Sequence, residues 1–504
     1  MLENRVLDKR AIENDNSNKK AFMQLAIMIG VTVMTQVVTI LKTSTVAGKF
    51  GATVEMDAFN FSNSIGTFIF SFIGAGITTV LIPNLVKKDR QEGVNIFIST
   101  LYTIAFGVLL VVYFNRKFII QGLSSGNEEF ISIACNIMLI TLITQFATSF
   151  LSATNAIFQC SGKFNFPKVI TLITTIVLVC LIVFMPELNI YKYAFYIFIT
   201  SIINVAIQII LAIKNGYKFK FKINVKNEDF RKMFKVFLPT VLSSGLYQVS
   251  LVTDTIISSG LGEGNISILG YSNTLMTMIN AILLTNLMTY FYPKIAKSIH
   301  KDNSQYKMFE LMILLSGIMC LVVTGFVVVG KQGIVLLYER GKFTSTITEL
   351  VFTGTMIYML GIPINAMRDL VYRYFYAKGD TLTPFKNSLI ISCLNIIISI
   401  ILSKVIGVYG IILGTVITSY MSFSMILFRF NKKFKIEYSK KVLGLEFIKL
   451  IIISMIVIII MKALIIVMPS MNLIFELFIY GVITVTIYIM MLRGFKSRVL
   501  RIKL

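Results

Sequence analysis

The residue types that usually carry covalent chemistry are scarce in this sequence. It has one histidine, His300, set in the basic stretch KIAKSIHK. Its five cysteines (Cys135, Cys160, Cys180, Cys320 and Cys393) are scattered, with no CxxC pair. That pattern supports neither a disulfide framework nor a metal site. No Walker loop, GxSxG or HExxH occurs, so the chain itself offers no nucleotide site, serine nucleophile or zincin centre. What remains is binding chemistry, from charged and amide side chains set inside apolar runs. Gln36 and Lys42 lie in MTQVVTILKTST, Gln248 and Asp254 in LYQVSLVTDTII, and Asp57, Asn60 and Asn63 in FGATVEMDAFNFSNSIGTFIF. An ionisable group inside a membrane span is costly and is expected to face a wet cavity or a partner. Asn60, Asn63 and Ser64 recur at helical spacing and share a face with Asp57, which predicts a polar stripe against a cavity. Asp57 also stands where a helix starts, where a carboxylate can cap the helix and complement its dipole.

The elements that must position these groups are membrane-spanning helices. The chain has 504 residues, of which 56% are hydrophobic and 14% charged, and its mean hydropathy is +0.80. A soluble protein would carry about a quarter charged residues. Apolar runs of roughly 20 residues, enough to cross a bilayer, recur along the chain and predict an all-α polytopic membrane protein with about 14 spans. The first 20 residues are polar and lead into an apolar run of full spanning length, which is unlike a cleavable signal peptide. A net charge of +24 would suggest nucleic acid in a soluble protein. Here the basic clusters KKDR, KNGYKFKFK, KIAKSIHK and NKKFK fall in every second loop. That is the positive-inside pattern; it places both termini in the cytoplasm and requires no nucleic-acid partner.

The sequence also repeats itself. FSNSIGTFIFSFIGAGITTVLIPNLVK from Phe61 and YSNTLMTMINAILLTNLMTYFYPKIAK from Tyr271 share the aromatic-Ser-Asn start, the Pro83/Pro293 stop and a basic tail without a gap. IFQCSGKFNFPK and YFYAKGDTLTPFK match through Gly162/Gly379 and Pro167/Pro384. The unit is six spans, an even number, so both copies enter the membrane in the same sense. Such parallel repeats are related by an axis along the membrane normal, and transporters built this way bind substrate between halves that rock. The expected organisation is a cytoplasmic tail (1–20), an N-lobe (21–225), a C-lobe (226–432) and two further spans with a basic tail (433–504). Those last spans are an appendage, a lipid-facing groove or a packing accessory.

Within the repeat, Gln36 aligns with Gln248 and Lys42 with Asp254, so equivalent helix ends carry opposite charges. Lys42 and Asp254 are expected to face the central cavity and sense substrate or ion; snorkelling into water is the competing role. Arg368, Asp369 and Arg373 sit near one end of a span. Arginine suits bidentate phosphate contacts, though an internal ion pair is equally compatible. ERGKFT, with Arg340 and Lys342, is expected to contact a head group or close the outer gate. Lys449, Lys462 and Glu476 in the last two spans receive no role.

These residues resemble a known family. FGATVEMDAFNFSNSIG is similar to the FGA…DAF signature of the MurJ/MviN lipid II flippases, YERGKFT to their outer-loop (Y/F)xxGxFT element, and FYAKGDTLTPFK to their FYAxGDTKTPVK. The order of elements covers nearly the whole chain. The resemblance implies the fold of the multidrug/oligosaccharidyl-lipid/polysaccharide exporter superfamily, with two lobes around a cavity. It implies flipping of undecaprenyl-diphosphate-linked peptidoglycan precursor, and cell-wall synthesis proteins as partners. It also implies cavity arginines for the diphosphate. Of those positions Lys42 keeps a positive charge, whereas Gln36, Phe70 and Thr274 are neutral. Asp57 keeps the acidic position. Either other cations such as Arg368 and Arg373 take over, or the substrate differs.

The sequence therefore points to a lipid II flippase with no catalytic residues and no cofactor, driven by membrane potential or a monovalent cation. Lys42, Asp57 and Asp254 are the leading cavity residues, with Gln36, Asn60, Asn63, Gln248, Asn273 and Thr274 as polar lining. Its membrane is the bacterial cytoplasmic membrane, and its partners are that lipid and the surrounding bilayer. Three alternatives remain open: a flippase for teichoic or capsular lipid-linked sugars, which the neutral positions favour; a cation-coupled drug exporter using Asp254; and a non-transporting scaffold, which has no need of polar faces inside spans.

Overall fold

The computed structural model describes residues 30–85, 91–163, 165–185, 187–285, 287, 304–436, 438–469 and 471–502. The tail 1–20, the basic clusters 87–90 and 294–301, and His300 lie outside them. The described chain is helical, with no strand. A helix over 30–50 (α1) precedes α2 (Val54–Leu85), α3 (Gln91–Leu123), α4 (Glu128–Cys160), α5 (Asn165–Phe184), α6 (Ile190–Lys214), α7 (Glu228–Ser259) and α8 (Asn265–Ile279). There follow α9 (Ser304–Tyr338), α10 (Ser345–Met359), α11 (Ile362–Ala377), α12 (Leu382–Ile406), α13 (Val408–Phe434), α14 (Lys440–Val467) and α15 (Leu473–Gly494).

Twelve helical segments among the described residues are long and apolar enough to span a membrane, with α10 and α11 joined as one. Two expected spans are not among the twelve. The first is cut by the undescribed residues before 30, and the seventh lies in α7, a 32-residue helix. Ser250, Asp254, Thr255, Ser258 and Ser259 of α7 are all buried. Buried polar groups such as these face neighbouring helices rather than lipid.

Contacts divide the described residues into two compact units. One holds residues up to Thr43, Ile69–Tyr113 and Leu139–Val241; the other holds Ser44–Phe68, Phe114–Met138 and residues from Leu242. In the first unit, α5 and α6 pack together, and a buried polar chain crosses from α4 to α5. Thr154 donates to Gln208 (2.8 Å), Gln208 to Asn204 (2.9 Å), and Asn204 to Thr171 (3.4 Å). In the second unit, α9, α11, α13, α14 and α15 share a core that includes Phe309, Phe375 and Phe430. Phe430 meets both other rings edge-on, with centroids 6.0 and 5.9 Å away. Close fit, rather than hydrophobicity, must hold helices together in lipid. Gly410 and Gly414 of α13, four residues apart, supply it: α13 lies there directly against the Leu402 and Ser399 backbone of α12.

The repeat is visible in local geometry. Gly162 and Gly379 both take positive φ (71° and 78°). Each ends its helix with the same pair of bonds: Lys163 to Phe158 and Gly162 to Gln159 in one, Asp380 to Phe375 and Gly379 to Tyr376 in the other. This is a Schellman-type stop, and only glycine adopts its left-handed turn freely.

Candidate functional site

Asp57 is 3% exposed, and both of its oxygens are committed. Oδ2 accepts the Gly264 amide at 2.7 Å; Oδ1 accepts the Ser267 amide at 2.7 Å and its hydroxyl at 2.6 Å. Asp57 thus caps α8 rather than its own helix. The cap position of α8 is Gly264, with φ +82° and no side chain to do the work. A carboxylate there satisfies orphan amides and meets the positive end of the dipole. Beside it lies a polar cavity of about 240 Å³ lined by Ser125, Asn127, Ser259 and Glu263. Ser62 is buried and donates to the Ala134 carbonyl at 2.9 Å, and Asn60 packs over Gly270. The polar stripe of residues 57–64 is therefore not one wet wall: Asp57 and Ser62 are spent on helix-to-helix bonds.

The same end of this unit holds ERGKFT. Lys342 donates its amide to the Gly48 carbonyl at 2.8 Å, Ser44 donates to Leu337, and Tyr271 donates to Gly51 at 2.8 Å. Gly341 has φ +57° and lies against the Gly48 carbonyl. Arg340 donates to the Leu337 carbonyl at 2.7 Å, closing the end of α9. The motif works through its backbone, while the Lys342 side chain is exposed.

Asp254 of α7 is 6% exposed. It stands beside Ser399 of α12. Asp254 Oδ1, Ser399 Oγ and Asn395 Oδ1 are all buried without a hydrogen-bond partner. Asn395 donates to Thr415 (3.2 Å) and Thr418 (3.3 Å) of α13, which orients its oxygen away from them. The Ser399 hydroxyl faces the Asp254 carboxylate, and buried oxygens left without a partner are rare enough to mark a site. Ser399 and Asn395 escaped the sequence reading. Their signal was polar residues recurring at multiples of four positions (Asn387, Asn395, Ser399, Ser403) along one face of α12.

The other candidates fall elsewhere. Lys42 is half-buried and makes no ion pair among the described residues. Gln36 lines a separate polar cavity in the first unit. Gln248 and Asn273 are half-buried, and Thr274 bonds back to the Gly270 carbonyl at 2.8 Å. Asn63 is half-buried on α2. Arg368 pairs with Asp369 (2.9 Å) and lies over the Tyr372 ring, so this pair is internal; Arg373 is half-buried on the same helix. In GDTLT, Asp380 accepts the Thr383 amide (3.0 Å) and hydroxyl (2.7 Å) and pairs with Lys433 at 2.5 Å. Partial burial opposes its ionisation, but Lys433 and Thr383 outweigh this and hold the carboxyl down at about 2. In the last two helices, Glu446 accepts Lys449 (2.9 Å), Ser497 (2.8 Å) and the Arg498 amide (3.0 Å), a pinning of the chain's end onto α14. An apolar cavity of about 390 Å³ lies among α9, α11, α13 and α14, lined by Val323, Met367, Phe423, Leu450 and Met455.

A family model described as "Lipid II flippase MurJ" matches residues 46–482. A relative from Rickettsia prowazekii described as a probable lipid II flippase MurJ is 24% identical over 82% of this chain and 84% of its own. One from Helicobacter pylori with the same description is 28% identical over 43% of this chain, and the match spans about half (48%) of that relative's length. Among solved structures, "Lipid II flippase MurJ, inward closed conformation" superposes with TM-score 0.80 at 22% identity, covering 93% of this chain and 98% of that one. An inward-facing multidrug transporter of the MATE family gives TM-score 0.59 at 13% identity, covering 80% and 100%.

Proposed function

The chain belongs to the lipid II flippase MurJ family, and we propose that it moves lipid II from the inner to the outer leaflet of the bacterial cytoplasmic membrane. The observation that carries this is the family match, which spans residues 46–482. The reaction makes and breaks no covalent bond, which suits a chain whose polar groups are placed for binding. The alternating basic loops put both termini in the cytoplasm. The apolar cavity against α14 has the lining an isoprenoid chain needs, whereas a diphosphate needs cations and donors.

Energy comes from the membrane potential or a monovalent cation; one charge crossing the membrane is worth about 2.3 kcal/mol per 100 mV. The buried Asp254 carboxylate with the Ser399 hydroxyl beside it offers oxygen donors of the kind a hard monovalent cation binds. Among the described residues no cluster of three His, Cys, Asp or Glu could hold a metal ion, and a single carboxylate suits a single positive charge. A bound cation there would neutralise Asp254 and join α7 to α12. The neutral Gln36, Phe70 and Thr274 favour one second reading, a flippase for another undecaprenyl-linked sugar.

Depleting the protein in its host while labelling lipid II with an outside probe tests the primary reading. Loss of labelled lipid II with accumulation inside is the expected result. Unchanged labelling, in a strain without a redundant flippase, transfers the assignment to another lipid-linked sugar.

A further inference from the structure

The stretch KFKFKINVK, residues 218–226, joins α6 to α7. It is neither helical nor part of a strand ladder. Lys218, Lys220, Lys222 and Asn224 alternate along it with Phe219, Phe221, Ile223 and Val225. In an extended chain that alternation gathers the apolar side chains on one side and the polar ones on the other. Every residue from 218 to 226 is exposed. Phe219, Phe221, Ile223 and Val225 are 45%, 69%, 49% and 55% exposed. A row of this kind in a loop bathed in water would forfeit the burial of each side chain, and a contiguous exposed apolar patch marks an interaction surface.

The stretch is strapped to α3. Asn95 donates to the Lys218 carbonyl at 3.1 Å, Tyr217 donates to Asn95 at 2.9 Å, and the Lys222 amide donates to the Ser99 hydroxyl at 3.2 Å. Asn95 and Ser99 are buried, so the strap is held from within the unit. Its level follows from α3 itself. That helix has 33 residues, about 50 Å at 1.5 Å per residue, against a hydrocarbon core of about 30 Å. Its ends therefore stand among head groups. Past Gln91 and Glu92 the first exposed apolar residue of α3 is Ile104 (54%), roughly 7 Å beyond Ser99 along the axis. The strap thus crosses α3 just outside the lipid-facing stretch. Lys222 pairs with Glu92 at 2.5 Å; Lys218, Lys220 and Lys226 are in no ion pair among the described residues. The strap lies in a basic loop that the positive-inside pattern assigns to the cytoplasm, and the facing leaflet carries anionic lipid. Lysines along an exposed edge oppose pairing with another strand, which favours a lipid surface over an added protein strand.

We propose that residues 218–226 are an interfacial anchor for anionic lipid of the cytoplasmic leaflet. Phe219, Phe221, Ile223 and Val225 enter the boundary between head groups and acyl chains, and Lys218, Lys220 and Lys226 contact lipid phosphates. The anchor needs the topology and not the identity of the transported lipid, so it stands or falls apart from the lipid II reading. Because the strap joins the last helix of the first repeat to the first helix of the second, the bilayer surface then holds the link between the two copies.

The chain contains no tryptophan, so a single Phe221→Trp substitution at this exposed position gives a reporter without background. The full-length variant is placed in phosphatidylcholine nanodiscs with and without phosphatidylglycerol. Indole fluorescence is then quenched from the bilayer side by acyl-brominated lipid and from the water side by acrylamide. Phe478→Trp, at a 71% exposed position on α15, is the lipid-facing control and should be quenched by brominated lipid in both nanodiscs. With phosphatidylglycerol, the indole at 221 should be quenched by brominated lipid and shielded from acrylamide. Adding Lys218→Gln, Lys220→Gln and Lys226→Gln should lower the ratio of inserted to wet indole, roughly fivefold for each lysine removed. Replacing the same three by arginine should preserve it. Acrylamide quenching without brominated-lipid quenching at 221, while the α15 control responds, overturns the anchor and leaves the apolar row to a protein partner. Equal brominated-lipid quenching with and without phosphatidylglycerol, or no effect of the three Lys→Gln changes, overturns the assignment to anionic lipid.

Discussion

Asp57 shows why a conspicuous polar residue need not be where its chemistry seems to point. Its position at the start of α2 suggested a cap for that helix, yet its oxygens serve α8 across the fold. Asp57→Ala should lower stability by roughly 2 kcal/mol, since three short bonds to a helix start are lost. Thermal unfolding in detergent would register it, and Asp57→Asn, which keeps an acceptor, should lose less. Asp380 allows a pH prediction. Its carboxyl is held down at about 2 by Lys433 and Thr383 against the cost of partial burial. A depressed pKa means that its stabilisation is complete above the ordinary carboxylate range and is lost only as pH falls toward 2. The difference in melting temperature between wild type and Asp380→Asn should therefore persist unchanged from pH 7 to about pH 5 and shrink below that. A difference that vanishes between pH 7 and 5 would contradict it. Lys433 is half-exposed, so most of that difference should come from the Thr383 bonds rather than the ion pair.

Elements here are fixed by how they stop as much as by what they bury. Gly341 and Gly379 both sit at positive φ, but their surroundings differ. A Cβ at Gly341 would collide with the Gly48 carbonyl, whereas nothing lies within 4 Å of one at Gly379. Gly379→Ala should then cost about 1 kcal/mol, the backbone strain alone. Gly341→Ala should cost distinctly more, because backbone on both sides must move. Comparing their melting temperatures separates the two, and equal losses would show that the α1–α9 contact can yield. Helices α12 and α13 illustrate the other half of the argument. The GIILG step permits their close approach, and that approach sets Asn395 beside Thr415 and Thr418 and Ser399 against Gly414.

For the molecule as a whole, the placement of Asp254 bears on how transport is powered. On the proposed cation reading, a cation at Asp254 would bind the folded state, so the melting temperature should rise with the logarithm of its concentration above the dissociation constant. Replacing choline chloride by sodium chloride should stabilise the wild type and leave Asp254→Asn unmoved. An equal response in both would place any cation effect elsewhere.

The sequence by itself determined the class of the protein. Apolar runs of spanning length leave the backbone no choice but helix in lipid. The matched glycines and prolines disclosed the repeat, because such residues stop helices through local geometry that needs no tertiary context; Gly162 and Gly379 bear this out with identical stops. Tertiary structure alone decided the partners of the polar groups. Asp57 bonds to residues more than two hundred positions away, Asp254 meets Ser399 from a distant helix, and Arg368 turns to its own neighbour Asp369. Which helix faces which is set by close packing and by the satisfaction of buried polar atoms, and both are summed over the whole assembly.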